Sequence, residues 1–181
     1  MSSTLTPMIQ SCVLHFGEMG SRWGINRTVG QMYALLVLSE APLCADQMSQ
    51  ALGFSRSNIS MGLKELQSWE LIRIKHIPGE RKEFYTAPDD IWEIAKILIE
   101  QRRKREMDPT LTTLRSLLLE QPANQEEEFA QHRMREMHEL IEMLTQWTTE
   151  IQRLNRSNLK GLLKLGGSLG KVLDMKDRLL K

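Results

Sequence analysis

The sequence is poor in cysteine and aromatic residues, and it has no long apolar run. Two cysteines, Cys12 and Cys44, occur in 181 residues, and neither belongs to a C-x-x-C pair, so we expect reduced, packed thiols. No stretch approaches the ~20 apolar residues that cross a bilayer. The N-terminal segment lacks the basic start and apolar core of a secretory signal. These absences predict a cytoplasmic protein without membrane contact.

Excess charge of either sign is also absent. The chain has 24 basic and 23 acidic residues, and 41% of it is hydrophobic, a balance typical of globular proteins and unlike that of collagens or most disordered chains. The length corresponds to about one domain with an appendage. A near-neutral total does not exclude nucleic-acid binding, because a small module can be basic on one face.

Recognisable catalytic motifs are missing as well. Glu128 and His132 are four residues apart, but two ligands do not make a metal site. The glycine-rich segment 166–170 follows no strand, so it is not a dinucleotide-binding fingerprint. No Ser/His/Asp or Cys/His arrangement is evident. We therefore expect a protein that is not an enzyme and needs no cofactor or metal.

Helical periodicity dominates the rest of the chain. Apolar residues at spacings of three and four predict a helix within 5–24, and a second helix follows over 29–39, capped by Asn26 or Thr28. Gly17, Gly20 and Gly24 recur at near-helical spacing, which favours close approach of another backbone. Further helices are predicted over 90–107, 109–121 and 124–155, and an amphipathic basic tail over 157–181.

The middle of the chain has a distinct layout. A short helix at 45–52, a turn at Gly53, a helix at 55–69 begun by Ser55 and a β-hairpin at 71–87 form a winged helix-turn-helix pattern. The predicted fold is mainly α with a small β-hairpin wing, and the winged domain is flanked by dimerisation helices. The expected divisions are 1–25 for an N-terminal dimerisation helix, 26–89 for the winged domain and 90–181 for a C-terminal helical dimerisation region.

Short polar and basic side chains are expected on the outer face of the second helix and on the wing. Asn can read adenine edges, Arg can read guanine edges, and Ser at a helix start suits phosphate oxygens. The candidate DNA contacts are Ser55, Arg56, Ser57, Asn58, Ser60, Lys64, Arg73, Lys75, Arg81 and Lys82. The alternatives are a merely solvated helix surface or a face that binds another protein. Met61 is the only large apolar residue expected outward, which favours DNA.

At these residues the sequence resembles a known family. The segments ADQMSQALGFSRSNISMGLKELQSWELI and IPGERKEFYTAPDDIWEI are similar to the GbsR branch of the MarR-type transcriptional regulators. The resemblance implies a dimeric repressor or activator on an approximately palindromic operator, with a recognition helix at 55–69 and Arg81 as the wing arginine. Glu80 stands where an Asp usually orients that arginine, and Cys44 stands where a Ser or Thr usually caps the first helix.

An apolar seam in the last long helix suggests a dimer. Apolar side chains recur there in steps of three and four over nearly three heptads, and related regulators dimerise through their terminal helices. An intramolecular contact is the alternative. The candidate interface residues are Leu5, Ile9, Met137, Leu140, Leu144, Ile151 and Leu154.

The aromatic residues suggest an effector site. Members of the resembling branch sense choline-like quaternary ammonium ions, and aromatic faces recognise such cations. Trp23, Tyr33, Trp92 and Trp147 are the candidates for a pocket between the winged domain and the dimerisation helices. The alternative is that each is a core or interface residue. The expected partners are double-stranded DNA, a second copy of the chain and a small effector, cationic or other.

Overall fold

Helices make up most of residues 5–166, the part of the chain that the structure, a computed structural model, describes. The chain divides into two units, Met1–Leu98 and Ile99–Lys181. A last helix occupies residues 156–166, and the rest of the predicted basic tail, 167–181, lies outside the described residues. The predicted domain boundary at 89/90 stays a prediction.

The first unit begins with the four predicted helices. Asn26 begins the second of them, because its Oδ1 accepts a hydrogen bond from the Thr28 N–H at 2.8 Å. Gly53 ends the third with a φ of 69°, a left-handed conformation that glycine adopts without strain. The helices are α1 (Pro7–Arg22), α2 (Arg27–Val37), α3 (Ala45–Leu52) and α4 (Arg56–Ser68).

The predicted hairpin is part of a three-stranded antiparallel sheet. Its strands are β1 (Leu43–Cys44), β2 (Arg73–Lys75) and β3 (Phe84–Thr86), in the order β1-β3-β2. The two hairpin strands are shorter than predicted, and the sequence analysis missed β1. A strand of two residues is too short to show an alternating pattern, so the tertiary pairing with β3 defines it.

The core of the first unit joins the helices to the strand ends. Met32, Met48, Ile59, Leu66 and Leu71 are its largest fully buried side chains. Each contributes roughly 1.5–3 kcal/mol of hydrophobic stabilisation. This core holds α4 at a fixed angle to α2 and α3, so the outer face of α4 is presented on a rigid support.

Helices α1 and α2 approach closely through glycines, as predicted for Gly17 and Gly20, whereas Gly24 lies beyond the end of α1 and a Cβ there would meet nothing within 4 Å. A Cβ on Gly30 would lie 3.0 Å from the Phe16 carbonyl oxygen and 3.2 Å from the Gly17 Cα. A Cβ on Gly20 would lie 3.5 Å from the Gly30 Cα. The conformational cost of glycine in a helix is therefore offset here by close packing of two backbones.

The helices after the wing differ from the prediction at their boundaries. Helix α5 (Ile91–Arg102) continues through a π-helical turn, Arg103–Met107, directly into α6 (Asp108–Leu117). The helices predicted over 90–107 and 109–121 are therefore joined without a break, and α6 ends before the predicted residue 121. Helix α7 (Gln125–Arg153) follows, begun by Asn124, whose Oδ1 accepts from the Glu127 N–H at 2.9 Å.

Asp108, the first residue of α6, forms an ion pair with Arg103 across the π turn. Its two carboxylate oxygens accept hydrogen bonds from the Arg103 guanidinium at 2.9 and 2.7 Å. The same guanidinium donates to Glu100 at 3.1 and 2.7 Å. Arg103 thus binds acidic residues on both sides of the π turn. The wider turn accommodates Pro109, because proline has no backbone N–H to donate to the carbonyl four residues earlier.

Candidate nucleic-acid interface

Helix α4, the predicted recognition helix, starts at a defined point because its first turn is capped. The Ser55 Oγ accepts a hydrogen bond from the Asn58 N–H at 3.2 Å. On the preceding helix, the Ser49 hydroxyl donates to the Phe54 carbonyl at 2.6 Å and braces the turn around Gly53. The cap uses the backbone N–H of Asn58, which leaves its side-chain amide exposed for other contacts.

The predicted polar face of α4 is exposed throughout. Ile59, Leu63 and Leu66 are buried in the core, and the side chains of Ser60, Met61 and Lys64 between them are exposed. Met61 is 62% exposed on this face, as predicted. All six candidate contacts on α4 are exposed, namely Ser55, Arg56, Ser57, Asn58, Ser60 and Lys64.

The wing carries a second group of exposed cations. Arg73, Lys75, Arg81 and Lys82 all face solvent. At its tip the Glu80 N–H donates to the Ile77 carbonyl at 3.1 Å across a turn. Arg81 directly follows this turn, within the connection over 76–83 that joins β2 to β3.

Asp46 connects these two groups of cations. The Lys82 Nζ donates to its Oδ2 at 2.7 Å, and the Arg56 guanidinium lies 3.2 Å from its Oδ1. The hydrogen bond from Lys82 and the two positive charges lower the pKa of the Asp46 carboxyl. The same bond raises the pKa of the Lys82 ammonium. The contact therefore favours the charged forms of the Asp46 carboxyl and the Lys82 ammonium.

Strand register explains why Asp46 meets Lys82. Cys44 pairs with Phe84 in the antiparallel contact between β1 and β3. Asp46 follows the end of β1 by two residues, in the first turn of α3, and Lys82 precedes β3 by two residues, so the antiparallel pairing brings both residues to the same end of the two strands. The sequence analysis missed Asp46, because an acidic residue in the first turn of a helix is already explained by the helix dipole.

The remaining candidate cations differ in their surroundings. Arg73 is paired with Glu93 on α5. Within residues 5–166, Lys64, Lys75 and Arg81 form no ion pair. The implied orientation of Arg81 by Glu80 is therefore not made in this structure. The Arg81 guanidinium is exposed on the wing, with no acidic partner within residues 5–166.

Cys44 occupies the cap position that the resemblance assigns to Ser or Thr. Its backbone N–H donates to the Gln47 Oε1 at 2.8 Å. This reciprocal bond is one half of a capping box and satisfies one of the free N–H groups at the start of α3. Gln47 thus stabilises the helix start that a cysteine side chain caps weakly.

Two of the four candidate effector residues lie on one cavity. Trp23 and Tyr33 line an apolar cavity of about 220 Å³ between α1, α2 and the start of α5, together with Phe16. Trp92 is not part of its wall, and Trp147 lies on α7 in the second unit. In the described part of the chain the buried Tyr33 hydroxyl has no hydrogen-bond partner, and burial raises its pKa.

The candidate dimer residues fall into two groups. Leu5 and Ile9 are partly buried against the core of the first unit, and Ile151 is buried in the single chain. Leu154 is half-buried. The exposed members lie on α7, namely Met137, Leu140 and Leu144. Trp147 is exposed one step further along the same seam.

The fold is that of a winged helix-turn-helix module with additional helices. Over 81% of this chain and 97% of the other, it is similar to a crystal structure described as that of a transcriptional regulator, with a TM-score of 0.64 and 19% sequence identity. At that identity the similarity establishes a shared fold. No family model and no curated protein sequence matches this chain.

Among the described residues, no helix is both long and apolar enough to span a bilayer.

Proposed function

We propose that the chain is a sequence-specific DNA-binding transcriptional regulator of the GbsR branch that acts as a homodimer on an approximately palindromic operator. The observation that carries this proposal is the contact of Arg56 and Lys82 with one carboxylate, Asp46. It joins the start of α4 to the wing, so the exposed cations of both lie on one surface beside exposed Ser and Asn side chains. The regulator whose fold this chain shares supports the same class of function.

In this proposal α4 enters the major groove. Asn58 reads an adenine edge, and Arg56 reads a guanine edge. Ser55 and Ser57, at the start of α4, suit phosphate oxygens. Arg81, unpaired within the described residues and exposed at the wing tip, reaches the adjacent minor groove, whose negative potential attracts arginine.

The dimer forms through the exposed seam of α7. Met137, Leu140, Leu144 and Trp147 follow one another at steps of three and four and are all exposed in the single chain. A contiguous apolar surface of this kind marks a protein interface. A two-fold dimer places two recognition helices about 34 Å apart, one turn of DNA, which matches a palindromic site.

An effector controls the spacing of the two recognition helices by occupying the cavity beside α1 and α2. Phe16, Trp23 and Tyr33 offer aromatic faces to a cation such as choline. Among residues 5–166, no charged side chain lines the cavity. Choline should therefore lower operator affinity in the wild-type protein and have no effect in Trp23→Leu, whereas an equal effect on both would exclude this cavity.

The decisive experiment selects bound sequences from a random duplex library at two salt concentrations. Recovery of an inverted repeat with half-sites about one turn apart supports the proposal. Enrichment of nothing beyond random sequence, with binding lost at moderate salt, contradicts it. In that case the exposed face of α4 would be assigned to a protein partner, and Met61 would be the first residue to test there.

A further inference from the structure

We propose that Asp46 is a specificity-determining residue that holds Arg56 and Lys82 in place and withholds their charge from random DNA. This inference rests on the proposed function, since it concerns how the same surface separates an operator from other duplexes. Asp46 is not itself expected to contact a base. It acts through the two cations that it binds.

The first step is the local charge. Two cations and one carboxylate meet at this point, so the start of α4 and the wing carry a net charge of +1 there instead of +2. All three side chains are exposed, Arg56 the most at 83%. A DNA phosphate that approaches Arg56 or Lys82 must therefore compete with Asp46 and is repelled by it.

The second step is the position of Arg56. It is the first residue of α4, where a positive charge opposes the helix dipole. The Asp46 carboxylate offsets that cost and fixes the direction of the guanidinium. A guanidinium has five N–H donors, so Arg56 can keep its contact with Asp46 and still present its other edge to a guanine.

These two effects act differently on two kinds of DNA. Random duplex is bound through its phosphates, so repulsion by Asp46 lowers the affinity for random duplex. An operator is also bound through base edges, for which a fixed Arg56 is an advantage. Asp46 therefore widens the ratio between operator affinity and random-duplex affinity.

The test compares wild type with Asp46→Asn on the selected operator and on a random duplex. The neutral variant should bind the random duplex more tightly and lose about threefold more of that affinity between 50 and 200 mM salt, the effect of one further neutralised phosphate. Its operator affinity should stay equal or fall, so the affinity ratio should decrease several-fold. Asp46→Glu keeps the charge and should retain the wild-type salt dependence.

Glu139→Gln is the matched control, because it makes the same change in net charge on an exposed residue of α7. It should leave both affinities unchanged, and circular dichroism should show all variants folded. An Asp46→Asn protein with the wild-type salt dependence and affinity ratio would overturn the inference. If the wild-type protein shows no sequence preference, the proposed function is wrong. If the wild-type protein prefers its operator and Asp46→Asn has the same preference, only the inference about Asp46 is wrong.

Discussion

Asp46 and Lys82 are 36 residues apart in the chain, yet the Lys82 ammonium donates a hydrogen bond to the Asp46 carboxylate at 2.7 Å. Exposed pairs of this kind contribute little to stability. Their effect lies in position and charge, because the pair joins the start of the helix-turn-helix motif to the wing. The two parts of the candidate interface are thereby one surface with a defined charge.

Replacement of Arg81 tests the wing contact. Arg81→Ala should weaken binding to operator and random duplex alike and reduce the salt dependence of log K by about 0.9, the contribution of one phosphate-neutralising cation. Arg135→Ala, an equal change of charge at an exposed position of α7, is the control. Titrations by fluorescence anisotropy at several salt concentrations provide the measurement, and an unchanged slope would argue against a wing contact.

Asn58 tests base reading by the recognition helix. Its side-chain amide is exposed while its backbone N–H serves the cap of α4, so Asn58→Ala should leave the helix intact. Operator affinity should fall by about 1–3 kcal/mol, the value of a bidentate contact to a base. Random-duplex affinity should hardly change. Equal losses on both duplexes would show that Asn58 contacts phosphate instead.

Gly30 tests the close packing of α1 on α2. Gly30→Ala should lower the free energy of unfolding by about 1–3 kcal/mol, because its Cβ would press on the backbone of α1. Gly161→Ala is the matched control. A Cβ there meets nothing within 4 Å, so this change should stabilise the helix over 156–166 by about 0.5–1 kcal/mol. Urea unfolding measures both, and a neutral Gly30→Ala would contradict the packing argument.

Leu140 tests the dimer. It is 55% exposed in the single chain, so Leu140→Asp should fold normally but shift the protein from dimer to monomer in sedimentation at micromolar concentration. A charge buried in an apolar interface costs several kcal/mol. Leu119→Asp changes an even more exposed leucine outside the seam and should leave the dimer intact. A dimer that survives Leu140→Asp would place the interface elsewhere.

Glu100 is expected to make the free energy of unfolding depend on pH. Hydrogen bonds from Arg103 lower the pKa of its carboxyl below the ordinary 4.5. The Glu100–Arg103 contact therefore stabilises the fold fully above about pH 4.5, the ordinary pKa of a glutamate. This stabilisation is lost as the pH falls through the lower pKa that Glu100 has in the folded protein. At pH 7, Glu100→Gln should lower the free energy of unfolding by about 0.5–1 kcal/mol, and the difference from wild type should shrink below pH 4. Glu139→Gln, the same substitution at an exposed position of α7, is the control.

The sequence predicted most of the fold because local signals were strong. Ser55, Asn26 and Gly53 define helix ends through chemistry that acts within three residues. It misplaced the start of α6, because Asp108 is engaged by Arg103. The Arg103–Asp108 ion pair spans five residues, so the signals within three residues that define helix ends did not reveal it.

Some features of the candidate site were likewise determined by the sequence, and others were decided only by the tertiary structure. The sequence determined which residues of α4 face outward, since a periodicity of 3.6 fixes the polar face once Ile59 and Leu63 are buried. It also determined that the wing is basic. Tertiary structure alone decided that Asp46 joins Arg56 to Lys82, because that contact depends on the pairing of Cys44 with Phe84. Tertiary structure likewise separated Trp23 and Tyr33, on one cavity wall, from Trp92, because helix packing rather than spacing in the chain brings aromatic side chains together.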